Sequence, residues 1–276
     1  MMNPWLETIG VIILASAGIF VGRAFSHLRK SWWMAGYFLS LVLIAILAII
    51  RINYSLGFMP PFLWFTTGRI KFVILSLAAT IGLTTPLSRL PHKFEKVAIC
   101  VLMTVVVCWF SVLPFLYPAL IKNHLANLHT VVNSEGLCFQ TKDYTCAPAA
   151  AVTALRKLGL PANEGEMAVL AHTSPITGTL PWCLYTALQY RYQADGLKCQ
   201  FRHFDSIAQL RNAPVTLAAV RDTFLSDHCV AVLEVSDKMV TFADPVWGRR
   251  SMSHEQFEKI WRFSGITLKR EATNNI

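Results

Sequence analysis

The chain has 276 residues, of which 54% are hydrophobic and 15% charged, where an average soluble domain carries roughly 25% charged residues. Its formal net charge of +9 would suit a phosphate backbone only if the cations were gathered on one surface. They are not: residues 1–128 hold 10 Lys/Arg and 2 Asp/Glu, and residues 129–276 hold 15 and 14. The basic excess therefore belongs to short loops between apolar stretches, which argues against a nucleic-acid partner.

Four apolar stretches approach the length of about 20 residues that a helix needs to cross a bilayer. They cover residues 5–21, 32–50, 70–87 and 97–120, and only Glu7 and Lys71 carry a charge near neutral pH within them. In the last, Pro114 and Pro118 predict a bend in the final turns. Trp5, Trp32, Trp33, Tyr54 and Trp64 lie near the ends, as interfacial aromatic residues do. The first Lys or Arg is Arg23, after the first apolar run, so the N-terminus does not read as a cleaved signal peptide. Arg23, Arg29 and Lys30 in one loop, and Arg89, Lys93 and Lys96 in another, read as cytoplasmic, although Arg51, Arg69 and Lys71 flank the loop between them. With four crossings, both termini then face the non-cytoplasmic side.

Beyond Lys122 the pattern is that of a mixed α/β domain. Helices are predicted over 148–158, 164–171 and 181–193, the first with Pro148 in its opening turn and Gly159 just past its end. Alternation over 197–204 predicts a half-buried strand, followed by strands over 214–220, 229–235 and 238–243. The last two form a hairpin across Ser236-Asp237. Ser253 followed by Gln256 is a capping box for a short helix reaching Trp261.

Cys146 stands where a polar stretch meets an alanine-rich helix. A lone cysteine is usually a small buried hydrophobe, but a helix N-terminus presents unpaired N–H groups that favour the reactive thiolate. His228 opens an apolar strand, and Asp244 closes the next one before Pro245. A hairpin brings its open ends together, so Asp244 is placed to orient one ring nitrogen of His228 and leave the other for a thiol. Read singly, His228 is an ordinary strand-end histidine and Asp244 a turn former. Gln140, six residues before Cys146, has the side-chain amide needed to donate to a tetrahedral oxyanion beside the Cys146 N–H.

The run from Gln140 through Cys146 to Gly159 resembles the active-site entry of the bacteriocin-processing (double-glycine leader) papain-like cysteine peptidases, cysteine peptidase family thirty-nine. His228-Cys-Val-Ala-Val-Leu and Asp244-Pro-Val-Trp-Gly are similar to that family's later motifs, and Phe257, Trp261 and Gly265 to its closing segment. The resemblance covers residues 136–268. It implies Cys146 as nucleophile, His228 as general base and then acid, Asp244 as orienter and Gln140 as oxyanion donor. Ala147 stands where many members have Gly, and the sequence has no Walker phosphate loop of the ABC exporters that carry the best-known members.

The expected architecture is thus an N-terminal all-α transmembrane region of about four helices (1–125), then an α+β papain-like cysteine peptidase domain with an antiparallel sheet (130–276). The expected activity is cleavage of peptide or protein substrates at the membrane surface, the domain lying on the non-cytoplasmic side. A transporter or secretion partner is compatible. Alternatives are a catalytically silent peptide-binding module and a thiol acyltransferase or deamidase on the same fold. Tyr144 and Trp247, next to the candidate catalytic positions, are candidate substrate contacts. Cys138, Cys183, Cys199 and Cys229 allow disulfides or four thiols. No cysteine pair has CxxC spacing, and His172, His203 and His254 are scattered, so neither a metal nor another cofactor is expected.

Overall fold

The computed structural model describes residues 4–58, 69–223 and 226–271. Trp64 lies outside them, as does the side chain of Tyr54. The chain divides into two compact units, Met1–Leu120 and Ile121–Ile276.

The first unit is helical: α1 (Pro4–Ser26), a 3-10 turn (Lys30–Met34), α2 (Ala35–Ile52), α3 (Ile70–Thr84), α4 (Lys93–Val107) and α5 (Leu113–Leu120). Among the described residues three helical stretches are long and apolar enough to cross a membrane: Pro4–Ser26, Lys30–Ile52 and Lys93–Leu120. Ile70–Thr84 is apolar but shorter. It runs parallel to α1 at a constant offset of 62 residues. Arg69 pairs with Glu7, an added Cβ on Gly18 would run into Thr80, and one on Gly22 would meet Thr84 and, at 2.7 Å, the Ile81 carbonyl. Ser88 bonds Ser26. Small residues on α1 thus let the two backbones approach.

Arg69, read from sequence as a loop flank, is only 8% exposed. Its guanidinium pairs with Glu7 and lies over the Phe115 ring, 5.5 Å from the centroid, so the pairing partner and not the local hydropathy decides its place. Between α4 and α5 the helix widens into a π turn over Cys108–Val112. The Leu113 N–H reaches back to the Cys108 carbonyl, and Pro114 follows. A proline cannot donate to the carbonyl four residues back, and its ring displaces that carbonyl, so irregularity just before it is expected.

In the second unit, α6 (Lys122–Ala126) and a two-stranded ribbon of β1 (Val131–Val132) and β2 (Cys138–Phe139) precede α7 (Cys146–Lys157), α8 (Glu164–Leu170) and α9 (Pro181–Tyr192). Then come β3 (Leu197–His203), α10 (Ile207–Arg211), β4 (Val215–Arg221), β5 (Asp227–Val235), β6 (Met239–Asp244), β7 (Gly248–Ser253), α11 (His254–Ile260) and β8 (Trp261–Arg270). The six longer strands form one sheet in the order β3-β8-β4-β5-β6-β7, antiparallel throughout.

The predicted helices, strands and the capping box of Ser253 and Gln256 are present. Four strands, β1, β2, β7 and β8, and the short helices α6 and α10 were not predicted. β8 follows α11 with no intervening turn, since Trp261 caps that helix in an extended conformation.

Alanines at 149, 150, 151 and 154 are fully buried and bring α7 close to the sheet. There they pack with Leu184, Leu188, Leu217, Ala231, Ala243 and Leu268. A second cluster of Phe204, Phe242, Phe257 and Trp261 includes Val230 and Val232 of β5, which alternate with the Ala231 that packs with α7. Gly265 is required where β8 meets β4, because a Cβ there would lie 2.7 Å from the Leu217 carbonyl oxygen.

Candidate active site

Cys146 is the first residue of α7, and its placement follows from the loop before it. Thr145, in the cap position, makes no side-chain bond to the helix. Its hydroxyl instead donates to the Lys142 carbonyl at 2.9 Å and accepts from the Lys142 N–H at 3.1 Å, and the Thr145 N–H also donates to that carbonyl. The opening N–H groups of a helix have no intrahelical partner, so Cys146 sits, half-buried, beside donors that its own cap has left alone.

His228 lies near the start of β5, across from Val220 of β4. The β5–β6 register pairs Ala231 with Ala243. Continued by one step, it places Asp244 diagonal to His228 on one face, within side-chain reach. His228 Nε2 is 3.0 Å from Asp244 Oδ1. A carboxylate only accepts, so Nε2 carries the hydrogen and Nδ1 is left over. The Cys146 thiol lies close enough to the same imidazole to favour its protonated form. The structure therefore brings Cys146, His228 and Asp244 into one chain of contacts.

Asp244 is 6% exposed. Burial works against its charge, but the hydrogen bond from His228 and the N–H groups of Val246 (2.9 Å) and Trp247 outweigh that and hold the carboxyl below its ordinary range. Arg250 adds a cation at 3.8 Å. For His228, burial opposes protonation. The hydrogen bond to Asp244, the nearness of Cys146 and the charges of both partners overcome it and raise the imidazole to about 10. Elsewhere burial does the opposite for thiols: Cys138 and Cys199 are pushed up to about 12, and Cys229 also well above its ordinary value. All three are free thiols.

Gln140 is tied to the same place through its backbone, its N–H donating to the Pro245 carbonyl at 2.9 Å. Its side-chain oxygen is buried without a partner, so nothing clamps the carboxamide by that atom. Trp247, beside Asp244, is 73% exposed. Tyr144 is half-buried and packs against the cluster of Leu125, Leu128 and Ala168.

The model of the peptidase C39 family matches residues 134–275. The chain belongs to the peptidase C39 family. The chain is 30% identical over 145 residues to an uncharacterized protein of Methanothermobacter marburgensis, covering 52% of this chain and 96% of the relative. It is 28% identical over 143 residues to one of Methanothermobacter thermautotrophicus, covering 52% and 94%. Among solved structures, the peptidase domain of Streptococcus ComA, a bifunctional ABC transporter involved in quorum sensing, aligns with TM-score 0.42 and 18% identity, covering 52% of this chain and all of that one. A double-glycine-motif protease from an AMS/PCAT transporter, solved with a leader peptide, aligns with TM-score 0.42 and 13% identity, covering 52% and 96%.

One residue of the C39 domain escaped the sequence reading. Glu164 opens α8 behind Asn163, where a glutamate reads as an exposed helix-start acid. It is instead 0% exposed, and its Oε1 accepts from the N–H (2.9 Å) and hydroxyl (3.1 Å) of Thr141, the neighbour of Gln140. Only its spacing behind Asn163 was visible in sequence, and that spacing says nothing of a strap folded over it.

Proposed function

We propose that this protein is a membrane-tethered cysteine endopeptidase that cleaves peptide or protein substrates at the membrane surface. The observation that carries the reading is His228 held between Asp244, at 3.0 Å, and the thiol of Cys146 at the tip of α7. Asp244 fixes the tautomer and ring angle, and His228 takes the thiol proton. The thiolate attacks the scissile carbonyl, with the Cys146 N–H and the Gln140 carboxamide receiving the oxyanion. His228 returns its proton to the leaving amine, a thioester remains on Cys146, and a water deprotonated by His228 hydrolyses it. The exposed Trp247 and the neighbouring Tyr144 border the strap and the turn that carry these groups, and they offer apolar contacts to a substrate.

Residues 1–125 form the multi-pass anchor in this reading and residues 130–276 the peptidase, which faces the non-cytoplasmic side. Three apolar helical stretches of sufficient length support the anchor, and the loop cations of the sequence support the sidedness. Substrates are then confined to the bilayer surface, as exported peptides or neighbouring membrane proteins are, with a transporter or secretion assembly as partner.

Comparison of the membrane proteome and released peptides between wild-type and Cys146→Ala cells tests the proposal. Substrates that persist uncut in the variant are the expected result. A variant that retains every cleavage product would reduce the domain to a binding module, and products joined to an amine or bearing Glu for Gln would make it an acyltransferase or deamidase.

A further inference from the structure

We infer that Glu164 is a positioning residue for the oxyanion donor, a buried anchor that sets the strap carrying Gln140. The inference rests on the peptidase reading and deepens it. Three ties hold the strap from 140 to 146: Gln140 N–H to Pro245, Thr141 to Glu164 and the closed turn between Lys142 and Thr145. Of these, the Glu164 tie is the one made by a buried acid. It acts on the residue directly after Gln140, through both the backbone and the side chain of Thr141.

The helix does not need this carboxylate for itself. Asn163 already caps α8, accepting from the Gly165 and Glu166 N–H groups at 2.8 and 3.2 Å, and the Glu164 N–H donates to the Thr130 hydroxyl. A fully buried carboxyl whose Oε2 has no partner is costly to keep. Its packing is also tight: a Cβ on the next residue, Gly165, would lie 2.5 Å from the Leu125 carbonyl oxygen. A costly group in a close-packed place, spent on Thr141, is what a rigid support for a reacting group requires.

The test separates oxyanion stabilisation from thiol reactivity, using the full chain in detergent and mass spectrometry of each cysteine. Acyl transfer from p-nitrophenyl acetate forms the Cys146 sulfur–carbonyl bond and expels p-nitrophenolate through a tetrahedral oxyanion. Alkylation by iodoacetamide displaces iodide with no oxyanion. Glu164→Gln is expected to slow acyl transfer to Cys146 about tenfold, less than loss of the donor itself, and to leave alkylation within about twofold. In a Gln140→Ala background the same substitution should add nothing, because both act through one group. Equal loss of both rates, unchanged acyl transfer, a further loss in the Gln140→Ala background, or failure of Glu164→Gln to fold would each make the residue merely structural and overturn the inference. If wild-type Cys146 reacts with neither probe faster than Cys199, the peptidase reading itself fails, and that result is distinct from all of these.

Discussion

The N–H of Gln140 donates to the carbonyl of Pro245 at 2.9 Å, and Pro245 follows Asp244 directly. The strap that precedes Cys146 and the turn that follows Asp244 are thereby joined through the backbone. That tie survives any change of the Gln140 side chain. Gln140→Ala is accordingly expected to lower kcat by about 10²–10³ with KM little changed, and to leave the melting temperature within a degree or so of wild type. Peptide hydrolysis and a thermal melt measure the two. An equal loss of stability would show that the carboxamide is structural.

Asp244→Asn keeps the shape of the turn but loses the charge that fixes the His228 tautomer. An amide can present its NH₂ to Nε2 and drive the hydrogen to the nitrogen that should face the thiol. Catalysis is expected to drop between about 10² and 10⁴-fold, with alkylation of Cys146 near neutral pH falling as well. Unchanged alkylation would mean that His228 needs no orienter.

The pH response follows from the folded values. His228 titrates at about 10 against about 6.5 in an unfolded chain. A group raised on folding contributes stability that is complete below pH ~6.5 and is lost as pH climbs through about 10. Asp244 is held below its ordinary range, so its contribution is present above the ordinary carboxylate value and fades only as pH falls through its lowered one. Denaturant melts across this range should show both limbs. Cys146→Ala removes the neighbouring thiol and the charge that help raise the imidazole, so the His228 titration followed by NMR should move down from about 10. No movement would break the proposed thiol–imidazole pairing.

How much of this could be read in advance differs by element. Cys146, His228 and Asp244 were legible because each stands at a boundary with a sequence mark: a helix start, a strand mouth and an Asp-Pro turn. The approach of His228 and Asp244 follows from one hairpin, a local event, whereas Cys146 reaches them through the packing of α7 on the sheet. Glu164 was not legible, since its burial depends on a loop folding back from 23 residues away. Arg69 escaped for the same reason, its partner Glu7 lying 62 residues back. β7 carries two arginines and no apolar alternation, and β8, which alternates over 261–264 and 266–269, begins at the residue where the predicted helix ends; their neighbours in the sheet decide both.

The Glu7–Arg69 pair gives a stability test within the helical unit. Replacing one partner alone, as in Glu7→Ala, leaves a buried guanidinium without its counter-charge and should cost about 3–5 kcal/mol. The double replacement Glu7→Leu/Arg69→Met should cost much less than the sum. Unfolding in mixed micelles measures the difference, and strict additivity would mean that the two charges do not rely on each other.

The constant offset between α1 and α3 carries one more consequence, for how this chain tolerates change in length. An α-helix turns by about 100° per residue. One extra residue in the middle of α3 would therefore leave one end of the seam aligned and swing the other out of line. Arg69 could still meet Glu7 while Thr84 and Ser88 lost Gly22 and Ser26, or the reverse. Variation in length is compatible with the pair only outside the two helices, where the connecting chain can absorb it without altering the phase between them.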